Sequence, residues 1–301
     1  MITEQLSNQI QRKSSPLVTV AMPIYNAGKY LRLAVLSIVS QTFTDWELLI
    51  IDDGSTDNAL NTIADINDKR IRILKDGENI GLAARLNEAI DLAQGQYLAR
   101  MDGDDASYPE RLMRQIEVLQ NDSKLDLVAV RLLTIDENNK PTGLLPSALT
   151  HNEICAKPWR GFYLPHPTWM GKIEWFRKYR YAIPASYFCE DQELLTRSYC
   201  ESKFFTIDEI LFAYRIRANV DQRKLAKTRC AVLGVQLRHF SSSHQWHFLF
   251  FATVAFFGKL TSDLLKRTVR VSFYRHGILD DTSASQCNKI LSDILTGSKI
   301  P

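Results

Sequence analysis

Three short polar clusters stand where apolar runs end, and their residue types suit a phosphate-bearing ligand. Pro23-Ile24-Tyr25-Asn26 follows the run from Leu17 to Met22, Asp52-Asp53-Gly54-Ser55 follows Glu47 to Ile51, and Asp102-Gly103-Asp104-Asp105 follows Gln96 to Met101. The carboxylates of Asp102-x-Asp104 can bind a hard divalent cation, because Mg²⁺ or Mn²⁺ is usually held by one or two carboxylates together with substrate phosphates. A diphosphate ligand is implied. Each cluster taken alone is more often a helix cap than a functional site, since Asp and Ser are favoured there. The fingerprints G-x-G-x-x-G and G-x-x-x-x-G-K-[ST] are absent, so a dinucleotide site of that type and a P-loop lose support.

The elements that must position these clusters alternate. Strands are expected at Leu17 to Met22, Glu47 to Ile51, Arg70 to Leu74, Gln96 to Met101 and Leu127 to Thr134, with helices near 29–40, 58–66, 81–93 and from Pro109 to about Gln120. Near-continuous apolar strands between segments of helical period indicate a mostly parallel sheet flanked by helices. In such sheets ligands bind outside the carboxyl ends of the strands, so the three clusters converge on one edge. From His151 to Tyr187 the pattern is mixed, a helix opens near Glu190, and the last third reads as helices ending in a polar tail from about Thr282.

With 301 residues, 45% hydrophobic and 24% charged, the chain has globular composition, which excludes disordered and fibrous classes. The net charge of +3 is too small to indicate a nucleic-acid partner. Its distribution is uneven. Residues 217–275 carry 11 Lys/Arg against 2 Asp/Glu, whereas residues 1–216 carry 24 against 29. Five cysteines without C-x-x-C spacing suggest neither a disulfide framework nor a zinc site, and fit a reducing cytosol. The first 15 residues are polar and lack the apolar core of a secretory signal.

Seven segments, in order, resemble the glycosyltransferase family 2 enzymes, which are inverting transferases of the GT-A fold. They are VTVAMPIYNAGKYL (18–31), SIVSQTFTDWELLIIDDGSTD (37–57), ENIGLAARLNEAI (78–90), GQYLARMDGDDASYPERL (95–112), LPHPTWM (164–170), EDQELLTR (190–197) and AYRIR (213–217). The resemblance implies an α/β fold with a Rossmann-like, mostly parallel central sheet. Residues 16–135 would form the nucleotide-sugar half, 136–220 the acceptor half and 221–301 a helical extension after a polar tail at 1–15.

Residue by residue, the resemblance implies that Tyr25 stacks on the nucleotide base, that the backbone near Pro23 contacts it and that Asp53 accepts from a ring N–H. Asn79, Gly81 and Arg85 would line the same pocket, with Arg85 meeting phosphate or base. Asp102 would reach the ribose or a metal-bound water, Asp104 would ligate Mn²⁺ or Mg²⁺, and Asp105 would orient the loop. Asp191 would be the general base, kept ionised by the N-terminus of its helix, with Glu190, His166 and Trp169 on the acceptor side. Many relatives carry Tyr-Arg-x-His where this chain reads Tyr214-Arg215-Ile216-Arg217. Arg is no neutral metal ligand, so Arg215 and Arg217 are expected to clamp the diphosphate.

The resulting expectation is a metal-dependent transferase moving a sugar, most readily from a UDP-sugar, to a saccharide or polyprenyl-linked saccharide in cell-surface polysaccharide or glycolipid assembly. The alternatives are a polyprenyl-phosphate glycosyl synthase, an inactive GT-A scaffold and a phosphorylated receiver domain. The receiver reading leaves the Tyr25 turn and Glu190-Asp191 unexplained. Residues 246–260, WHFLFFATVAFFGKL, precede Lys266, Arg267, Arg270 and Arg275. A Phe-rich face beside cations suits the interface of an anionic membrane at the cytoplasmic face. A buried helix or a dimer seam is the alternative.

Overall fold

The structure, a computed structural model, describes residues 15–186, 188–216, 222–269 and 277–297. Among these residues nine strands form one sheet: β1 (Val18–Ile24), β2 (Trp46–Asp52), β3 (Ile71–Lys75), β4 (Tyr97–Arg100), β5 (Ala106–Ser107), β6 (Leu127–Ile135), β7 (Pro141–Leu144), β8 (Met170–Lys172) and β9 (Phe204–Arg215). Their order is β3-β2-β1-β4-β8-β6-β9-β5, with β7 on β6. The first four pair in parallel, as expected from the alternation. Beyond β4 the sheet is mixed: β8 is antiparallel to β4 and β6, while β6 and β9 run parallel through a register shift near Arg131.

The helices are α1 (Leu31–Val39), α2 (Leu82–Leu92), α3 (Arg111–Asn121), α4 (His151–Ile154), α5 (Ile173–Tyr179), α6 (Glu190–Ser198), α7 (Gln222–Ser242), α8 (Trp246–Val269) and α9 (Asp281–Thr296). The helix expected at 58–66 is only a 3₁₀ turn, Ala59–Ile63. Asn58 ahead of it adopts φ 58°, a left-handed backbone that interrupts any helix starting there. Alternation along β1 sends Val18, Val20, Met22 and Ile24 into one core with α1 and α3, and Ala21 into a second core with α2 and α5. Both faces are covered, which is why these strands read as apolar runs.

The polar tail expected from Thr282 is instead α9, and Cys287, Leu291 and Ile294 enter the first core. Their i, i+4, i+7 spacing defines a narrow apolar stripe on an otherwise polar helix. Asp280 caps it by accepting from Ser283 N at 2.8 Å. α7 and α8 form a hairpin that rests on α6 and on the turn Pro158–Arg160.

Candidate active site at the strand ends

β1, β2 and β4 end side by side, which brings the three polar clusters together. Pro23 lies within β1, opposite Ile51, rather than in the turn where the sequence pattern put it. The Ala21 carbonyl accepts from Met101 N beside β4, and the Ile24 carbonyl accepts from Asp53 N beside β2. By the alternation of strand groups, Pro23 faces the side where β4 has already ended, so its missing N–H leaves no broken ladder bond. Tyr25 follows, 56% exposed, at the rim of this opening. Asn26 (φ 51°) turns the chain away; its Oδ1 accepts from Thr56 N at 2.9 Å, tying the first cluster to the second. Gly103 is needed for the third to approach: a Cβ there would sit 2.7 Å from Ile24 Cγ2.

Asp53 is buried. Its Oδ1 accepts from Ile80 N at 2.8 Å and Arg85 Nε at 3.0 Å, and Oδ2 accepts from Gly81 N at 3.0 Å. Gly81, at φ 90°, aims that N–H inward. Asn79 Nδ2 donates to the Asp53 carbonyl at 3.0 Å. Asp53, Asn79 and Gly81 therefore form one assembly, in which Oδ2 keeps acceptor capacity for a further donor. Asp52 is structural: Oδ1 accepts from Ser55 N at 2.9 Å, and Lys75 Nζ stands 3.7 Å from Oδ2.

Arg85 requires a correction. Its guanidinium is 2% exposed and is spent on Asp53, on Asp76 at 2.6 and 2.8 Å, on Glu88 at 2.9 Å and on the Glu78 carbonyl at 2.6 Å. It is a buried clamp behind the pocket, not a ligand contact, and it draws Asp76 down to about 2.

Asp102 and Asp104 are half-buried at the end of β4. Asp102 Oδ1 accepts from Arg100 Nη1 at 2.5 Å. Arg100 is 3% exposed, and its positive charge also acts on Glu190 and Asp191. Arg100 thus pairs directly with Asp102 and favours the charged forms of Glu190 and Asp191. Asp105 does orient the loop: Oδ1 accepts from Arg215 N at 2.8 Å, and burial raises its carboxyl well above the ordinary range.

Among the described residues no group of three or more His, Cys, Asp or Glu side chains could enclose a metal by itself. Asp102 and Asp104 fit instead the sparser arrangement in which protein carboxylates and substrate phosphates share a cation.

Arg215 is a second correction. Its Nε donates to the Asp104 carbonyl at 2.7 Å, Nη1 to the Asp136 carbonyl at 2.5 Å and Nη2 to Asn139 Oδ1 at 2.7 Å, with the group 4.2 Å from the Tyr30 ring centre. It braces the acidic loop from behind and does not reach toward a diphosphate. Arg217 lies outside the described residues.

Glu190 and Asp191 open α6, as expected. Burial raises both carboxyls above their ordinary values, for Glu190 with the added repulsion of Asp191. Desolvation thus outweighs the helix N-terminus expected to lower Asp191, and a raised pKa makes a stronger base. His166 is buried, with Nε2 2.7 Å from the Tyr181 hydroxyl, and burial holds its imidazole neutral. Trp169 is wholly buried; Nε1 donates to the Leu164 carbonyl at 3.1 Å and the ring packs on His166 and Trp175. It is core, and cannot stack on a sugar.

Sequence reasoning missed Arg100, Asn87 and Tyr181. Arg100 carried a signal, a cation in the last position of an apolar strand; Asn87 and Tyr181 carried none.

Residues 19–180, more than half of the chain, match the family model described as "Glycosyl transferase family 2". The chain belongs to glycosyl transferase family 2. EpsE of Bacillus subtilis (strain 168), by name a glycosyltransferase, is 34% identical over 220 residues, covering 70% of this chain and 76% of EpsE. Among solved structures, the family 2 chain superposes on Staphylococcus aureus TarS 1–349 in complex with UDP with a TM-score of 0.57 at 18% identity, over 73% of this chain and 65% of that one. It also superposes on the mannosyltransferase PcManGT of Pyrobaculum calidifontis, in complex with GDP-Man and Mn²⁺, with a TM-score of 0.53 at 14% identity, over 99% and 92%. These likenesses establish the GT-A fold of this family 2 glycosyltransferase.

Proposed function

We propose that this family 2 chain is an inverting, metal-dependent glycosyltransferase that moves a sugar from a UDP-sugar to a hydroxyl of a saccharide or lipid-linked saccharide, in cell-surface polysaccharide or glycolipid assembly. The observation that carries this reading is the shared environment of Arg100, which pairs with Asp102 on the donor side and acts on Asp191 on the acceptor side. Residues 16–135 hold the donor and 136–220 present the acceptor, while α7 and α8 extend the chain as a helical hairpin and α9 returns to the first core.

The base stacks on Tyr25, and its ring N–H donates to the spare capacity of Asp53 Oδ2. Uracil has such an N–H, and the UDP in the TarS complex supports this class of donor. Asp104, with Asp102 beside it, would hold Mn²⁺ or Mg²⁺ against the diphosphate, a role supported by the Mn²⁺ in the PcManGT complex. When bound, that ion stabilises charge on the departing diphosphate. Asp191 removes the proton from the acceptor hydroxyl as its oxygen attacks the anomeric carbon on the face opposite the diphosphate. The bond from that carbon to the diphosphate oxygen breaks, UDP leaves with the electron pair, and the configuration inverts. The Glu190 carboxyl and the buried His166–Tyr181 pair border the acceptor side.

Calorimetric titration with UDP, GDP, dTDP and CDP, with and without Mn²⁺, tests this in wild type and Asp104→Ala. Mn²⁺-dependent binding of UDP, lost in the variant, is expected. Folded protein that binds none of the four would overturn the donor-site assignment, and binding of another nucleotide would replace UDP.

A further inference from the structure

The outward face of α8 is not used by the fold. Its inward face already covers the body of the protein: Phe248 and Phe251 pack on Trp159 with ring centres 5.1 and 5.3 Å apart, Phe248 meets Phe240 at 5.4 Å, and Ala252 is buried. The opposite face presents Trp246, Phe250, Val254, Phe257 and Leu265, each between 53% and 65% exposed. Their spacing of 4, 4, 3 and 8 residues draws one straight stripe along the helix. It runs for about 29 Å at the helical rise. From Trp246 to Gly258 the chain has no Asp, Glu, Lys or Arg.

Basic charge flanks the stripe. The paired helix α7 exposes Arg223, Lys224, Lys227 and Arg238, of which Arg223, Lys227 and Arg238 lie on one face of that helix. Lys266 and Arg267 follow the stripe in sequence, and residues 217–275 carry 11 cations against 2 anions. The Lys266 and Arg267 side chains, and Arg270 and Arg275 altogether, lie outside the described residues. No helix among the described residues is long and apolar enough to cross a membrane. An apolar stripe flanked by cations, on a helix that cannot span, has the chemistry of a segment lying in the headgroup layer of an anionic bilayer.

We infer that the α7–α8 hairpin docks this protein on an anionic membrane, with Trp246, Phe250, Val254, Phe257 and Leu265 entering the acyl boundary and the α7 cations meeting lipid phosphates. The hairpin also touches the acceptor side of the candidate site. Lys224 Nζ stands 3.7 Å from the ring centre of Phe188, three residues before Asp191, and Tyr199 just after α6 donates to Gln245 at 3.3 Å. A docked hairpin therefore sets the base beside the bilayer, where a lipid-linked acceptor is held. Docking is independent of the transferase reading, and its test reads lipid binding alone.

The test is flotation of the full chain with vesicles of phosphatidylcholine containing phosphatidylglycerol, for wild type and for Phe250→Ser/Phe257→Ser. Removing two Phe side chains that would enter the acyl boundary should weaken vesicle affinity by roughly tenfold or more. Wild-type binding should weaken severalfold, by about the loss expected for screened surface charges, between low and high salt. Circular dichroism and thermal denaturation verify that the variant is folded. Independently, brominated lipids should quench wild-type tryptophan fluorescence, and Trp246→Phe should remove most of that quenching. Vesicle binding indifferent to these substitutions, or no binding at all, overturns the inference. So does a wild-type dimer by sedimentation velocity that the double variant converts to monomer, since the stripe would then be a subunit seam.

Discussion

Asn87 grips Tyr181 by both sides of its backbone: Oδ1 accepts from Tyr181 N at 3.0 Å and Nδ2 donates to the Tyr181 carbonyl at 2.9 Å. Next to it Arg180 forms a two-bond pair with Asp91 at 2.5 and 2.7 Å. Helix α2, which follows directly on the Ile80 and Gly81 N–H groups around Asp53 and adds Arg85 Nε from its first turn, thereby anchors the segment that leads to Asp191. The Asp53 assembly and the segment before Asp191 are braced by the same helix.

Asn87→Ala should therefore lower kcat more than it changes UDP affinity. Two lost hydrogen bonds cost about 1–3 kcal/mol of stability, and the loosened segment lets Asp191 drift from its working position. Steady-state kinetics beside UDP calorimetry checks this; equal losses in both would mean that the anchor serves only the donor pocket.

Asp191→Asn should reduce transfer by about 10²–10⁴, the usual contribution of a general base, with UDP affinity retained. Because burial raises its carboxyl, wild-type kcat/KM should fall with decreasing pH at a midpoint above the ordinary aspartate value of about 3.9. The variant should lack that acid limb. A pH–rate profile of each protein decides the matter.

Arg85→Leu should destabilise the fold by about 3–5 kcal/mol, because it leaves the buried Asp53 carboxylate without its cation. Arg85→Lys should recover only part of the loss, since one ammonium cannot span the acceptors that the guanidinium reaches. Thermal denaturation of the three proteins tests the order. Equal midpoints would return Arg85 to the ligand-facing role expected from sequence.

His166 is kept neutral by burial, so its folded pKa lies below the unfolded value of about 6.5. Between those two values the unfolded chain binds the extra proton. Its contribution to stability is thus complete above the unfolded value and declines as pH falls through the window, by at most about 1.4 kcal/mol per pH unit for one proton. The stability difference between wild type and His166→Gln, measured by urea unfolding from pH 7.5 down to 5, should shrink accordingly. A difference independent of pH would show that the imidazole titrates alike in both states.

Arg215→Ala should unfasten the acidic loop, since three of its donors hold the Asp104, Asp136 and Asn139 acceptors. Mn²⁺-dependent UDP binding is expected to weaken by about tenfold, in line with the loss of second-layer support around a metal site, while metal-free UDP binding changes less. Calorimetry with and without Mn²⁺ separates the two.

The amino-acid sequence by itself determined which strands carry polar clusters at their ends, to within about two residues for β1, and the family, because each depends on residues adjacent in the chain. Apolar periodicity marks β1, β2 and β4, and the residues that follow a strand must emerge where it ends. It also placed Glu190 and Asp191 at a helix start. What it could not determine was which polar groups spend their hydrogen bonds on the protein. Arg85, Arg215 and Trp169 read as ligand contacts by motif, yet packing buries all three and supplies their partners locally or from distant segments. Arg215 reaches Asp104 across 111 positions and Asn87 meets Tyr181 across 94. Such pairings follow no spacing rule, because they are set by the order of strands in the sheet and by the helices packed on it. The α8 stripe divides the same way: its composition was legible in the sequence, while the face left over after Trp159 was covered was decided by the tertiary structure.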